Sequence, residues 1–293
     1  MTVDHKYGST EVASAPKRIV SVGLTEQDTL LALGLQPIAV TEWYGEQPYA
    51  TWPWATDLLG DSKPEVLDAS DGLQYERIAA LRPDLILGIN AGLEEEDYAK
   101  LSAIAPTVAN SGSYESDYFE PWPDQTLQLA KAVGMEKEGQ AMIDDLNGRF
   151  ADVAAAHPQF AGKMAVFLQA PYFEGKAIAY QKGLSTDFLT DLGFDSPAVL
   201  DQYSQDGAQA YIPGEKLDVL DEGDVLIWAT EDDGARAQLE KNKLFGRLKA
   251  VKAGRSLYTG AELAGAIYFA TILSLPYVLD QLVPQLEKAF PER

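Results

Sequence analysis

The sequence predicts an α/β protein of two similar lobes, each built on a parallel central sheet, joined by one long rigid α-helix, with a ligand cleft between the lobes. Three observations predict it. The first is a repeated pattern. Tyr75-Glu76-Arg77-Ile78-Ala79-Ala80-Leu81-Arg82-Pro83-Asp84-Leu85-Ile86-Leu87 and Gly214-Glu215-Lys216-Leu217-Asp218-Val219-Leu220-Asp221-Glu222-Gly223-Asp224-Val225-Leu226-Ile227 each pass from a Glu through a short helical stretch to an Asp that opens an apolar strand. A Leu follows the Glu by five residues in both, Leu81 after Glu76 and Leu220 after Glu215. The second observation is strand–helix–strand order, which demands a parallel sheet with right-handed crossovers. The third is the stretch from Asp124 to His157, which is helix-compatible apart from Gly134 and Gly148.

Each element has a local reason. Arg18 to Gly23 is an apolar run expected as a buried strand. Glu26 to Leu33 is expected as a helix capped by Thr25 and stopped by Gly34. Pro37 to Val40 is the next strand, and Leu85 to Gly88 continues the sheet. A helix from Glu94 to Ile104 precedes a short strand at Thr107 to Ala109. Strands then cease until Met164 to Leu168. The long helix between them carries apolar Leu127, Ala130, Val133, Met142, Ile143, Leu146 and Phe150, with a kink expected near Gly134. After it the pattern restarts, with a helix from Ser185 to Leu192 stopped by Gly193 and a strand from Val225 to Trp228. Ala264 to Phe290 is expected as a final helix bent by Pro276 and Pro284. The expected division is 1–122 for the first lobe, 123–157 for the connecting helix and 158–293 for the second lobe.

Composition excludes several functions. The net charge is −22, from 23 Lys and Arg against 45 Asp and Glu, a balance that repels nucleic acid, DNA included, and anionic lipid. There is no Cys, which removes thiol catalysis, thiolate metal sites and disulfides. The only histidines are His5, placed in an N-terminal tail, and His157 before Pro158, too few for a Ser-His-Asp triad or a His-rich metal centre. Phosphate-binding glycine motifs are absent. The acidic run Glu94-Glu95-Glu96-Asp97 reads as a favourable helix start, and no apolar run reaches membrane-spanning length. Without a visible export segment, composition alone leaves open a cytosolic chain or a mature exported one.

Aromatic residues are concentrated where ligands bind in open parallel sheets, beyond the carboxyl ends of strands. Trp43, Tyr44, Tyr49, Trp52 and Trp54 crowd one loop; Tyr114, Tyr118, Phe119 and Trp122 crowd another. Tyr172, Phe173 and Tyr180 follow the first strand of the second half, Trp228 ends a strand, and Tyr268 lies on the final helix. The expected ligand is large and partly apolar, or a cation drawn to ring faces. The expected contact set is Trp43, Tyr44, Trp52, Asn90, Tyr114, Trp122, Tyr172, Phe173, Tyr180, Trp228 and Tyr268.

The strings Lys17-Arg18-Ile19-Val20-Ser21-Val22-Gly23, Leu31-Ala32-Leu33-Gly34-Leu35-Gln36-Pro37-Ile38-Ala39-Val40 and Tyr75 to Ile86 resemble the iron–siderophore, haem and cobalamin substrate-binding proteins of ABC importers. The likeness is greatest to actinobacterial ferric-siderophore binding lipoproteins, and the order of elements agrees over nearly the whole chain. The resemblance implies two Rossmann-like lobes, a non-enzymatic monomer outside the cytoplasm, and a ferric siderophore as cargo. It implies that Glu76 and Glu215 dock to an ABC permease dimer. No resident cofactor or protein-bound metal is expected, because the siderophore would hold the iron. Few Arg residues fall near the expected cleft, which favours a hydroxamate or mixed-ligand complex of low charge over a catecholate. Haem or a corrinoid is the alternative within the class; a two-lobed enzyme and an adhesion or scaffold protein are the alternatives outside it.

Overall fold

In the computed structural model the chain forms two compact units. One comprises residues 1–145 with 269–274, the other 146–268 with 275–293. The structure describes residues 1–42, 44–114, 116–118, 120–205 and 208–291.

The strands of the first unit are β1 Thr2–His5, β2 Gly8–Glu11, β3 Ile19–Ser21, β4 Ala39–Glu42, β5 Glu65–Asp68, β6 Leu85–Gly88 and β7 Thr107–Ala109. Its helices are α1 Glu26–Ala32, α2 Thr56–Leu59, α3 Tyr75–Ala80, α4 Glu95–Ser102 and α5 Trp122–Val133. β3 to β7 make a parallel sheet in the order β5-β4-β3-β6-β7. The crossovers leave β3 in one direction and reach β6 and β7 in the other, so the topological switch lies between β3 and β6. The fully buried runs Ile19-Val20-Ser21 and Leu85 to Gly88 reflect a sheet covered on both faces. β1 and β2 form a separate antiparallel hairpin. It takes in His5, which lies buried with its ring beside Tyr98 and its Nε2 2.9 Å from Thr10 Oγ1, rather than in a loose tail.

α6 Glu136–Ala156 crosses the division between the units, which falls between Asp145 and Leu146. The expected single helix from Asp124 to His157 is therefore two helices. The break is a Gly stop: Gly134 sits at φ 78°, its N–H donates to the Lys131 carbonyl at 3.1 Å, and Met135 N–H donates to the Ala130 carbonyl at 2.8 Å. The same pair of bonds closes α1, where Gly34 reaches Leu31 and Leu35 reaches Leu30. This is the left-handed glycine cap that satisfies the last carbonyls of a helix.

In the second unit the strands are β8 Ala165–Phe173, β9 Lys176–Tyr180, β10 Ala210–Pro213, β11 Val225–Thr230 and β12 Ser256–Tyr258. The helices are α7 Asp187–Asp191, α8 Asp233–Lys241, α9 Lys249–Lys252, α10 Gly260–Phe269 and α11 Ser274–Ala289. The sheet order is β10-β9-β8-β11-β12. It is mixed rather than wholly parallel: β8, β11 and β12 run parallel, while β9 is antiparallel to both its neighbours. The cause is the two-residue turn Glu174-Gly175, with φ 49° and 76°, a hairpin geometry that returns the chain beside itself. The expected final helix is likewise divided. α10 ends near Ala270, which has φ 47°, and the short link to α11 belongs to the first unit. Pro284 is accommodated within α11. Among the described residues no helix is long and apolar enough to cross a membrane.

The sequence repeat has one structural meaning in both units. Asp84 N–H donates to the Arg18 carbonyl at 3.0 Å, and its carboxylate accepts the Arg18 N–H at 2.8 Å. Asp224 N–H donates to the Met164 carbonyl at 2.7 Å, and its carboxylate accepts the Met164 N–H at 3.0 Å. Each Asp thus locks the start of the first strand of its sheet to the strand it opens. Between Glu and Asp, Ile78 in one unit and Leu217 and Leu220 in the other are buried, which leaves Glu76 and Glu215 on exposed first turns.

Two glycines of opposite meaning test the backbone account. Gly34→Ala places a side chain at φ 75° with nothing within 4 Å of the new Cβ, so its cost is backbone alone, about 1 kcal/mol. Gly148, exposed inside α6 with open space around it, is expected to gain about 0.5–1 kcal/mol as Ala. Urea midpoints that move in the same direction for both variants would contradict this reading.

Candidate functional site

The first turn of α1 stands at the switch point of the first sheet and is made of buried polar residues. Glu26, Gln27 and Asp28 are each at most 6% exposed. Glu26 has the room it fills because residue 23 is Gly: a Cβ there would lie 2.0 Å from Glu26 Oε1. The Glu26 carboxylate accepts the N–H of Asn90 at 2.9 Å and of Thr25 at 3.1 Å, so it ties the loop after β3 to the loop after β6. Burial holds its pKa above the usual carboxylate range despite those bonds.

Gln27 donates its amide to Thr51 Oγ1 in the aromatic loop after β4. Asp28 Oδ2 accepts Trp54 Nε1–H at 2.8 Å and the Thr271 hydroxyl at 2.5 Å. Burial pushes Asp28 from 3.8 up to about 6, with the Thr271 and Trp54 bonds acting the other way. One helical turn therefore anchors three loops and the 269–274 link. Beside it, a pocket with roughly one water's worth of space is lined by residues including Thr25, Glu26, Ile89, Trp122 and Gln125. Asn90 Nδ2 donates to Thr25 Oγ1 at 3.2 Å, and Thr25 donates to Gln125 Oε1 at 2.9 Å.

The expected contact residues divide between open and enclosed positions. Trp43 lies outside the described residues. Trp52 is 3% exposed, stacked on Trp54 with centroids 5.1 Å apart and edge-on to Phe269 at 5.7 Å. Trp122 is nearly buried at the start of α5. In the second unit Trp228 is wholly buried in the core, and Tyr180 is nearly so against Phe167 and Tyr268. These four side chains are enclosed in this structure. In the loop after β4, Trp52 is also tilted against Tyr44, and Trp54 likewise meets Phe269 edge-on.

The remaining members stay accessible. Tyr44, Asn90, Tyr172 and Tyr268 are half-buried, while Tyr114 and Phe173 are exposed. Tyr172 packs edge-on against Trp228 at 6.2 Å. Burial pushes its hydroxyl up to about 12. Phe173 ends β8 at the hairpin whose Gly175 carbonyl accepts the Gly214 N–H at 2.9 Å, adjacent to Glu215. Sequence reasoning missed Glu26, Asp28, Thr271 and Glu120. The run Thr25-Glu26-Gln27-Asp28 directly after a buried strand was the available signal for the first two.

The loops beyond the carboxyl ends of the first sheet, residues 22–25, 43–55, 69–74, 89–94 and 110–121, contain no Lys or Arg at all. They contain the acids Glu46, Asp71, Glu94, Glu115, Asp117 and Glu120. The Lys6 ammonium reaches Asp117 at 2.7 Å from the turn of the β1–β2 hairpin. In the second unit Arg236, early in α8, pairs with Glu240 and lies 4.3 Å from the centroid of the Tyr258 ring. Such loops give an anion little to bind. Among the described residues no group of three or more His, Asp or Glu side chains is gathered so as to hold a metal ion.

Each of the two units is an α/β fold whose parallel strands end in loops at their carboxyl ends. The chain belongs to the periplasmic binding protein family, whose sequence pattern matches residues 19–263. A Bacillus subtilis protein described as "Probable siderophore-binding lipoprotein YfiY" is 30% identical over 272 residues, 87% of this chain and 78% of that protein. The crystal structure of a periplasmic solute binding protein from Mycobacterium smegmatis shares 44% identity and superposes with a TM-score of 0.92, over 99% of this chain and 98% of that one. PiaA of Streptococcus pneumoniae, solved in complex with ferrichrome, shares 28% identity with a TM-score of 0.84 over 98% of each chain.

Proposed function

We propose that this protein is the substrate-binding component of an ABC importer, that it captures a ferric siderophore of the hydroxamate type, and that it hands the intact complex to a membrane permease. The observation that carries the reading is the likeness to PiaA, which extends over 98% of both chains and was solved with a hydroxamate siderophore. The cation-free loops of the first unit agree with it physically. Three hydroxamates neutralise Fe(III), so their complex asks for hydrogen bonds and ring surface rather than Arg clusters. Tyr44, Asn90 and Tyr114 of the first unit and Tyr172, Phe173 and Tyr268 of the second are the contacts this reading uses. The protein acts by binding and release, as a monomer outside the cytoplasm and without a resident cofactor. The related YfiY is called a lipoprotein, in keeping with such a location. Glu76 and Glu215 face the permease.

Fluorescence titration tests the reading. Ferrichrome and ferrioxamine are expected to quench Trp emission with dissociation constants of about a micromolar or tighter, the lower end of about −8 kcal/mol. Carboxymycobactin and haemin serve as competitors of different chemistry. Tight haemin binding with no response to any siderophore would refute the proposal.

A further inference from the structure

The head of α5 carries a feature that packing leaves unexplained. Glu120 is 4% exposed. Its Oε1 accepts the Ser111 N–H at 2.8 Å and the Ser111 hydroxyl at 2.7 Å. Its Oε2 is buried and has no hydrogen-bond partner among the described residues. Burial holds the Glu120 proton tighter than usual, the hydrogen bonds from Ser111 and the Gly112 backbone act the other way, and the like charge of Asp124 adds a smaller upward push. Asp124 is exposed and accepts the hydroxyl of Tyr114, whose ring is 42% exposed.

A buried carboxylate oxygen without a donor is costly, and a second carboxylate beside it adds to the cost. A donor of positive charge near the two acids would offset both costs. The exposed Tyr114 ring adds a face to which such a group is attracted. No side chain within the loops around this point can supply the charge, because none is Lys or Arg. Lys6, the cation that reaches this loop from outside it, is taken by Asp117.

We propose that the transported complex carries a protonated amine or guanidinium on its periphery, and that Glu120 and Asp124, with the Tyr114 ring, receive it. This rests on the hydroxamate reading and adds a charge requirement to it: cationic complexes are preferred to neutral ones, and neutral to anionic. The first unit alone supplies the subsite.

The test uses one iron-binding core with three tails. Ferrioxamine B leaves a terminal ammonium free; its N-acetyl derivative is neutral and its N-succinyl derivative anionic. We expect the ammonium form to bind about tenfold more tightly than the acetyl form, the step that one charge-assisted hydrogen bond provides, and the succinyl form to bind weakest. Asp124→Asn, at an exposed position, is expected to shrink the ammonium-to-acetyl ratio to about two. Glu120→Gln should do the same where the variant folds. Equal affinities for the three tails, or a ratio that neither variant alters, would overturn the inference. Binding of ferrichrome but of none of the three would overturn it as well. Failure of every hydroxamate to bind would instead bring down the reading beneath it.

Discussion

Replacing Asp28 by Asn is expected to raise stability at pH 7.5 by about 2–3 kcal/mol. Asp28 is buried at the start of α1, and its Oδ2 accepts the Trp54 indole N–H and the Thr271 hydroxyl. Burial moves its pKa from 3.8 to about 6. The unfolded chain releases this proton near 3.8 and the folded protein near 6. The contribution to stability is therefore full below 3.8 and is lost as pH rises through 6, a fall of about 3 kcal/mol at 1.36 kcal/mol per pH unit of displacement. An Asn cannot ionise, yet its Oδ1 can still accept from both donors. The variant should match the wild type near pH 4 and exceed it at pH 7.5. Urea unfolding followed at both pH values decides the matter: equal differences at the two, or a less stable variant at pH 7.5, would show that the charge itself holds Trp54 and Thr271. Glu26, also raised by burial, keeps some of the same slope in the variant. A carboxylate that costs stability at neutral pH while organising an aromatic loop fits a functional position better than a purely structural one.

Local punctuation made much of the fold legible. Leu33-Gly34-Leu35 and Leu192-Gly193-Phe194 mark helix ends of one geometry, with Gly193 N–H on the Thr190 carbonyl and Phe194 N–H on the Leu189 carbonyl. Val133-Gly134-Met135 carries the same signal. It was outweighed by the helical composition on either side, which is how one expected helix became two. The hairpin at Glu174-Gly175 escaped because a non-glycine residue takes φ 49° there, so no Asn-Gly or Gly-Gly pair announces the turn. The site was less legible than the fold. Aromatic loops pointed to the right edge of each sheet, but the same residues can cover a core or face a ligand. Only tertiary packing separates Trp52 and Trp228, which are enclosed, from Tyr114 and Phe173, which are open. The polar hub at Glu26 and Asp28 was hidden for a different reason. Acids at a helix start are ordinarily solvated, and their burial depends on segments as distant as Thr271.

Loss of both Glu76 and Glu215 is expected to abolish uptake in cells while leaving ligand affinity intact. The two carboxylates occupy equivalent first turns, α3 and the 3₁₀ segment Gly214–Glu222, and both are exposed. The fold explains the hydrophobic and Asp positions of the repeat, because Ile78, Leu217 and Leu220 are buried and Asp84 and Asp224 lock strands. Among the described residues neither Glu side chain makes a hydrogen bond or ion pair, and Glu76 acts only on the nearby Lys100 charge. A residue repeated at an exposed place with no internal role is available for a partner, and two copies suit a partner with two matching basic pockets. A charge-assisted hydrogen bond to such a pocket contributes about 1.5–3 kcal/mol, so either single Ala variant should lower uptake by about ten- to a hundredfold. The double variant should approach the level of cells lacking the binding protein. Lys at either position should be worse than Ala, since it sets like charges against each other. Uptake of radiolabelled iron complex and in vitro affinity are measured on the same five variants. Normal uptake by the double variant would reduce both residues to helix-start acids, and a fall in affinity would place them against the ligand instead.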